Sequence, residues 1–83
     1  MWYVYIAECS DKSLYTGITT DIDRRISEHN NSNKGAKYTR SRRPIRLVYL
    51  ESYKDRSIAS RREYSIKKLK RVEKLSLINQ YKY

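Results

Sequence analysis

The chain has one cysteine, one proline, two glycines and no phenylalanine. Its single thiol, Cys9, cannot form an intrachain disulfide and matches no metal-ligand spacing, so a small core residue in a strand is its expected role. So little proline and glycine leaves no flexible linker, and there is no internal repeat. No stretch approaches the ~18 apolar residues of a membrane span, and the start MWYVYIAECS carries no basic leader. No membrane association is expected, and a reducing, cytoplasmic location is the default. Acid is scarce too: nine Asp and Glu stand against 19 Lys and Arg, a net charge of +10. Such a field attracts polyanions and releases counterions from a phosphate backbone. A merely solvated basic surface would show the same balance. Self-repulsion on so small a chain costs stability, however, and nucleic acid is therefore the expected partner. The 83 residues, 1–83, read as one domain with a thin core and no room for a separate recognition domain.

Residues 2–8, WYVYIAE, are aromatic and β-branched and predict a strand. Ser10, Asp11, Lys12 and Ser13 supply a turn, and residues 14–18 resume the strand pattern, which predicts an antiparallel hairpin. Thr20 with Asp23 three residues on suggests a capped helix start. Ile22, Ile26 and His29 follow at helical offsets, with Arg25 one turn before His29. Residues 30–44 lack periodicity and read as a loop, and residues 45–50, IRLVYL, as a third strand. Asp55 is the expected cap of a long helix bearing Ile58, Ala59, Ile66 and Leu69. Val72, Leu75, Leu77 and Ile78 mark a final helical segment after a kink near Lys70 and Arg71. The simplest burial of these faces is an α+β fold, a three-stranded sheet covered by helices.

Tyrosine is the over-used side chain, with nine copies. Tyr3 and Tyr5 share a sheet face by alternation, and Tyr15 comes from the neighbouring strand. Tyrosine in a half-buried strand is ordinary. The order of residues around it is less so. YVY at 3–5 and YTG at 15–17 are followed by Arg25 and His29 on a capped helix and Glu63 on a later one. This pattern resembles the GIY-YIG nuclease superfamily over essentially the whole chain. Tyr5 and Tyr15 stand ten residues apart and Arg25 ten further, as in that family. The segment TDIDRRISEHN, with Ala59 to Glu63 and a basic IKKLKR run, is similar to its small stand-alone bacterial members, the YhbQ-like type. Tyr3 departs from the glycine of the first triplet, and Val4 and Thr16 from the isoleucine of the first and second triplets, though both suit a strand. Asn79 does not match the family's late asparagine in spacing.

The resemblance implies a small antiparallel sheet flanked by helices and a metal-dependent endonuclease using Mg²⁺ or Mn²⁺. Glu63 is the implied metal ligand; Mg²⁺ keeps several waters and takes one or two carboxylates. Arg25 is implied to hold phosphate oxygens, Tyr5 to act as the base, Tyr15 to orient water or phosphate, and His29 to relay a proton. A phenol with a pKa of about 10 is ionised in roughly one molecule in a thousand at neutral pH, so a cation or Arg25 is expected to lower it. Each residue also has a structural reading: Glu63 as an ion pair with Lys67, Arg25 as a solvated side chain, His29 as a polar group at its helix's end.

The stretch from Lys34 to Arg46, with Lys37, Arg40, Arg42 and Arg43, contains no acid and interleaves Tyr38. It is the candidate surface for tracking phosphates, extended by Lys67 and Lys70 and by Lys68, Arg71 and Lys74. Two functions follow. One is a structure-selective or weakly specific DNA endonuclease in repair or processing. The other is a non-catalytic DNA- or RNA-binding module with the same fold. Without an appended recognition domain, a protein partner is expected to contribute specificity.

Overall fold

The computed structural model describes residues 1–81. Three strands, β1 (Trp2–Glu8), β2 (Leu14–Thr19) and β3 (Arg46–Tyr53), form one sheet in the order β2-β1-β3. β1 is central and antiparallel to both neighbours, with Tyr5 opposite Gly17 on one side and Leu50 on the other. Helices α1 (Ile22–Asn31) and α2 (Lys37–Arg40) lie between β2 and β3 in the chain, and α3 (Arg56–Lys68) and α4 (Arg71–Tyr81) follow β3. This is the α+β architecture the sequence pattern suggests. No helix among the described residues is long and apolar enough to cross a membrane.

β1 is covered on both faces, which explains its unbroken apolar run. Val4 and Ile6 pack with Val48, Tyr49, Ala59, Ile66 and Ile78, so α3 and α4 cover that face. Tyr5 and Ala7 turn the other way and pack with Cys9, Ile45, Ile22 and Ile26, beneath α1. A bulge reconciles β3 with this arrangement. Ile6 pairs with Tyr49 but Ala7 with Leu47, which leaves Val48 as the extra residue. Val48 and Tyr49 consequently both reach the α3–α4 core, although they are consecutive.

The observed boundaries correct the sequence reading in four places. Asp21, not Thr20, caps α1, its carboxylate accepting the Arg24 amide at 3.1 Å. The carboxylate satisfies a free first-turn amide and adds negative charge at the helix's positive end. The 30–44 segment is not all loop: α1 runs to Asn31, and α2 adds one turn too short to show a period. β3 begins one residue later than expected and continues to Tyr53, because Glu51 and Tyr53 carry the alternation onward. The long helix stops at Lys68, with Leu69 extended, and α4 restarts at Arg71, close to the expected kink.

One polar network fixes α3 on the sheet. Glu51 accepts hydrogen bonds from the hydroxyls of Tyr49 and Tyr53, and from Arg62 of α3 at 2.9 Å. Arg62 therefore clamps the helix to β3 immediately beside Glu63. Its guanidinium and the two hydroxyls hold the Glu51 carboxyl below the usual carboxylate range against the opposing effect of burial.

Candidate active site

Tyr5 projects from the central strand across its neighbour β2, and Gly17 lets it pass. A Cβ at Gly17 would stand 2.6 Å from the Tyr5 hydroxyl and 2.8 Å from Cζ, closer than any side chain tolerates. The phenol, buried to 1% exposure, ends 2.8 Å from Nε2 of His29 on α1. His29 is fully buried, and its Nδ1 lies 2.9 Å from Thr39 Oγ1 of α2. The Thr39 hydroxyl donates to the carbonyl of Ala36 at 2.9 Å. Its one proton is thus committed, so Thr39 accepts from His29 and Nδ1 carries the imidazole proton. Nε2 is left as an acceptor, and Tyr5 donates to it. Gly35 makes this contact possible: a Cβ there would meet the Glu28 carbonyl at 2.8 Å, so the loop packs directly on α1.

Burial pushes Tyr5 up to about 12; the Arg25 guanidinium beside it opposes this, while Tyr15 and Glu63 reinforce it. The expected lowering by Arg25 is therefore outweighed by desolvation in the protein alone. His29 is pushed down to about 4, first by burial and then by the positive charge of Arg25. The pair accordingly rests as neutral phenol and neutral imidazole at pH 7. The Tyr15 ring completes the cluster, 6.3 Å from that of Tyr5 and 5.2 Å from that of His29.

Arg25 is held rather than freely solvated. Its Nη1 donates to Glu28 Oε1 at 3.1 Å and to the Lys34 carbonyl at 2.7 Å. Glu63 pairs with Lys67 at 3.3 Å while its side chain stays 22% exposed. Among the described residues no group of three or more His, Cys, Asp or Glu converges on a metal position. The donor set fits a hard cation held by one carboxylate, with water and phosphate completing the shell, and does not fit an all-protein cage.

The basic residues divide by what they touch. Arg43 donates to the carbonyls of His29 and Ser32, at 2.5 and 2.6 Å, and so closes the carboxyl end of α1. Arg42 pairs with Asp11 at 3.1 Å and Arg46 with Glu8 at 3.0 Å. Lys34, Lys37 and Arg40 are exposed along the loop and α2, and Lys70 is exposed at the α3–α4 break. Lys67 and Lys74 border a cleft of about 260 Å³ at the β2 edge, lined also by Leu14, Tyr15, Thr16 and Tyr38. Thr39 and Gly35 were not singled out by sequence reasoning, and Gly17 entered it only as the end of the YTG triplet. Thr39 sits inside the basic run with no periodicity around it, and only its place in the fold reveals its partner.

A central-strand tyrosine hydrogen-bonded to a buried histidine, with an arginine and one carboxylate beside them, defines a small α+β domain suited to phosphate chemistry. The sequence matches the GIY-YIG catalytic domain over residues 1–76. A UPF0213 protein of Desulfotalea psychrophila is 62% identical over 93% of this chain and 70% of that protein. One of Staphylococcus haemolyticus is 54% identical over 94% of each. The solution structure of a UPF0213 protein of Bacillus halodurans superposes with a TM-score of 0.61 at 52% identity, covering 96% of this chain and 85% of that one. A solution structure from E. faecalis gives 0.63 at 40% identity, covering 95% and 83%. The chain belongs to the GIY-YIG family, in its small YhbQ-like type, a family of nucleases that generally use divalent metals.

Proposed function

We propose that this chain is a divalent-metal-dependent endonuclease that hydrolyses phosphodiester bonds of DNA, selective for structure or weakly for sequence. Repair or processing of DNA in the cytoplasm is the setting we infer, with a protein partner adding specificity and one domain carrying the chemistry. The observation that carries this reading is the buried chain from Tyr5 through His29 to Thr39, beside Arg25 and Glu63. The bond between phenol and imidazole holds the fold in any module of this kind, but its place beside an arginine and a carboxylate suits it to move a proton as well. We read the pair as a proton path. Tyr5 would take a proton from the attacking water while passing its own to Nε2 of His29, so no free phenolate is needed. Arg25, held by Glu28 and Lys34, would meet the charge that builds on the phosphate oxygens. Tyr15 would orient the water or the phosphate. Glu63 is the residue that would hold Mg²⁺ or Mn²⁺, which when bound polarises the phosphate and stabilises the leaving oxygen.

Glu63→Gln tests the assignment. The change keeps shape and helix propensity but removes the negative ligand. Cleavage is expected to vanish, while binding to DNA without metal persists or tightens. Loss of the Glu63–Lys67 pair alone would change stability by only about 0.3–0.5 kcal/mol. A variant that cuts as fast as wild type would remove Glu63 from the metal site. A wild type that cuts no branched, flapped or linear substrate in Mg²⁺ or Mn²⁺ would leave a non-catalytic DNA- or RNA-binding module as the function.

A further inference from the structure

We propose that the cleft at the β2 edge holds the base of one unpaired nucleotide, stacked on Tyr38, beside the phosphate to be cut. This inference rests on the nucleic-acid reading above and narrows its substrate to strands with an unstacked base at the cleavage position.

Tyr38 stands on a four-residue helix and remains 44% exposed. An exposed tyrosine on one turn of helix would ordinarily rotate freely, and this one is braced. The Arg42 guanidinium lies 4.0 Å from its ring centroid. Arg42 is itself tied to Asp11 at 3.1 Å and to the Tyr38 carbonyl at 2.7 Å. The Tyr38 ring also runs within 26° of parallel to that of Tyr15, with 6.3 Å between centroids. Two aligned, pre-set rings form a platform of the kind on which bases stack irrespective of sequence.

The remaining walls suit a nucleotide within a chain. A volume of about 260 Å³ is below the ~300–1,000 Å³ of pockets for drug-sized ligands, and accommodates one flat ring system. Lys67 and Lys74 supply positive charge that a phosphodiester needs and a neutral aromatic ligand does not. Thr16, 4% exposed in the same wall, carries the one buried side-chain polar atom without a hydrogen-bond partner among the described residues. The cleft also adjoins the reacting groups, since Tyr15 lies 5.2 Å from His29 and Lys67 pairs with Glu63 at 3.3 Å. A base in a duplex is stacked on both faces and cannot enter; an unpaired base enters without the expense of unpairing.

The test is equilibrium binding without metal to three DNA probes. These are a duplex with one unpaired 2-aminopurine nucleotide, the same duplex with an abasic site there, and a fully paired duplex. Stacking is expected to quench the 2-aminopurine fluorescence. Tyr38→Ala should weaken binding of the unpaired probe by about 5- to 150-fold, the range of base–aromatic stacking, and abolish the quench. Tyr38→Phe should retain both. The abasic probe should bind wild type as weakly as the unpaired probe binds Tyr38→Ala, with no further loss on combining the two changes. The proposal is overturned if Tyr38→Ala weakens the paired and unpaired probes equally, or if the abasic site leaves wild-type affinity unchanged. Thermal melts confirm that both variants are folded. Because metal is absent, these results stand apart from cleavage. A protein that grips the unpaired base but cuts nothing refutes the nuclease and supports the cleft, and one that cuts yet ignores Tyr38 refutes the cleft alone.

Discussion

Lowering the pH toward 5 offers a proton to a single imidazole in this chain, because His29 is its one histidine. In the fold that imidazole is buried, its Nδ1 proton is committed to Thr39, and its pKa falls from 6.5 to about 4. The unfolded chain therefore binds the proton first. His29 contributes stability that is fully present above about pH 6.5 and is lost as the pH falls through 6.5 toward 4. At pH 5 the loss amounts to about 2 kcal/mol, from the ratio of protonated fractions in the two states. A chain of this size is stable by about 4–12 kcal/mol in all, so the effect is a large share. It corresponds to a fall in Tm of roughly 8–16 °C. Asp11, Glu51 and Asp55 are held below their usual values and lose stabilisation in the same direction at lower pH. The informative quantity is therefore the difference between wild type and His29→Gln, which keeps hydrogen-bonding groups near Tyr5 and Thr39 but does not titrate. Urea unfolding of both proteins at about pH 7.5 and pH 5 measures it. If wild type and His29→Gln lose equal stability over that interval, the neutral buried imidazole is wrong.

Three further outcomes follow from the same geometry. Tyr5→Phe should reduce single-turnover cleavage by about 10²-fold or more. It should also destabilise the fold by about 1–3 kcal/mol, because it leaves buried Nε2 of His29 without its donor; a variant of unchanged activity would exclude Tyr5 as the base. Gly17→Ala should cost about 1–3 kcal/mol by overpacking and impair cleavage by displacing the phenol, with kcat/KM and thermal melts as the readouts; full activity would mean that the close approach is unimportant. Replacing Lys34, Lys37 and Arg40 together with Gln should flatten the slope of log affinity against log salt, by about 0.9 per lost contact on duplex DNA or about 0.7 on single strands. An unchanged slope would remove that loop from the binding surface.

The elements legible in the sequence are those with a repeating pattern long enough to read. The aromatic and β-branched hairpin, the Ile22–Ile26–His29 face and the Asp55 cap all appear in the structure. Thr20 and Asp21 are both good caps, and sequence alone does not say which backbone leaves the strand. The one-turn α2 and the bulge at Val48 lie below the resolution of any periodicity argument, since neither repeats. The basic run illustrates a different limit. Arg40 and Arg43 look alike in sequence, yet Arg40 is exposed while Arg43 closes the end of α1. What a guanidinium touches depends on carbonyls and carboxylates brought near by the fold, such as Asp11 for Arg42, 31 positions away. Thr39 is hidden for the same reason, because it meets His29 only where the loop packs on α1 at Gly35.

The position of the site follows from β2 being an edge strand. Tyr5 belongs to the central strand and faces α1, whereas Glu63 and Lys67 belong to α3 on the opposite face of the sheet. A strand beyond β2 would separate them. With none there, the two faces meet at its rim, where Tyr15, Thr16, Tyr38, Lys67 and Lys74 line one cleft. Tyr5 still has to span β2 to contribute, and residue 17 is the position directly opposite it in the register. Any side chain there would occupy the path of the phenol. An open edge is ordinarily a liability, a row of unpaired groups that invites another chain to add itself. Here the exposed rim bears clustered cations and aromatic rings, which disfavour a further strand and favour a polyanion with accessible bases. The requirement for an edge and the requirement for glycine opposite Tyr5 are thus one requirement, that the phenol buried on one face come close to the carboxylate on the other.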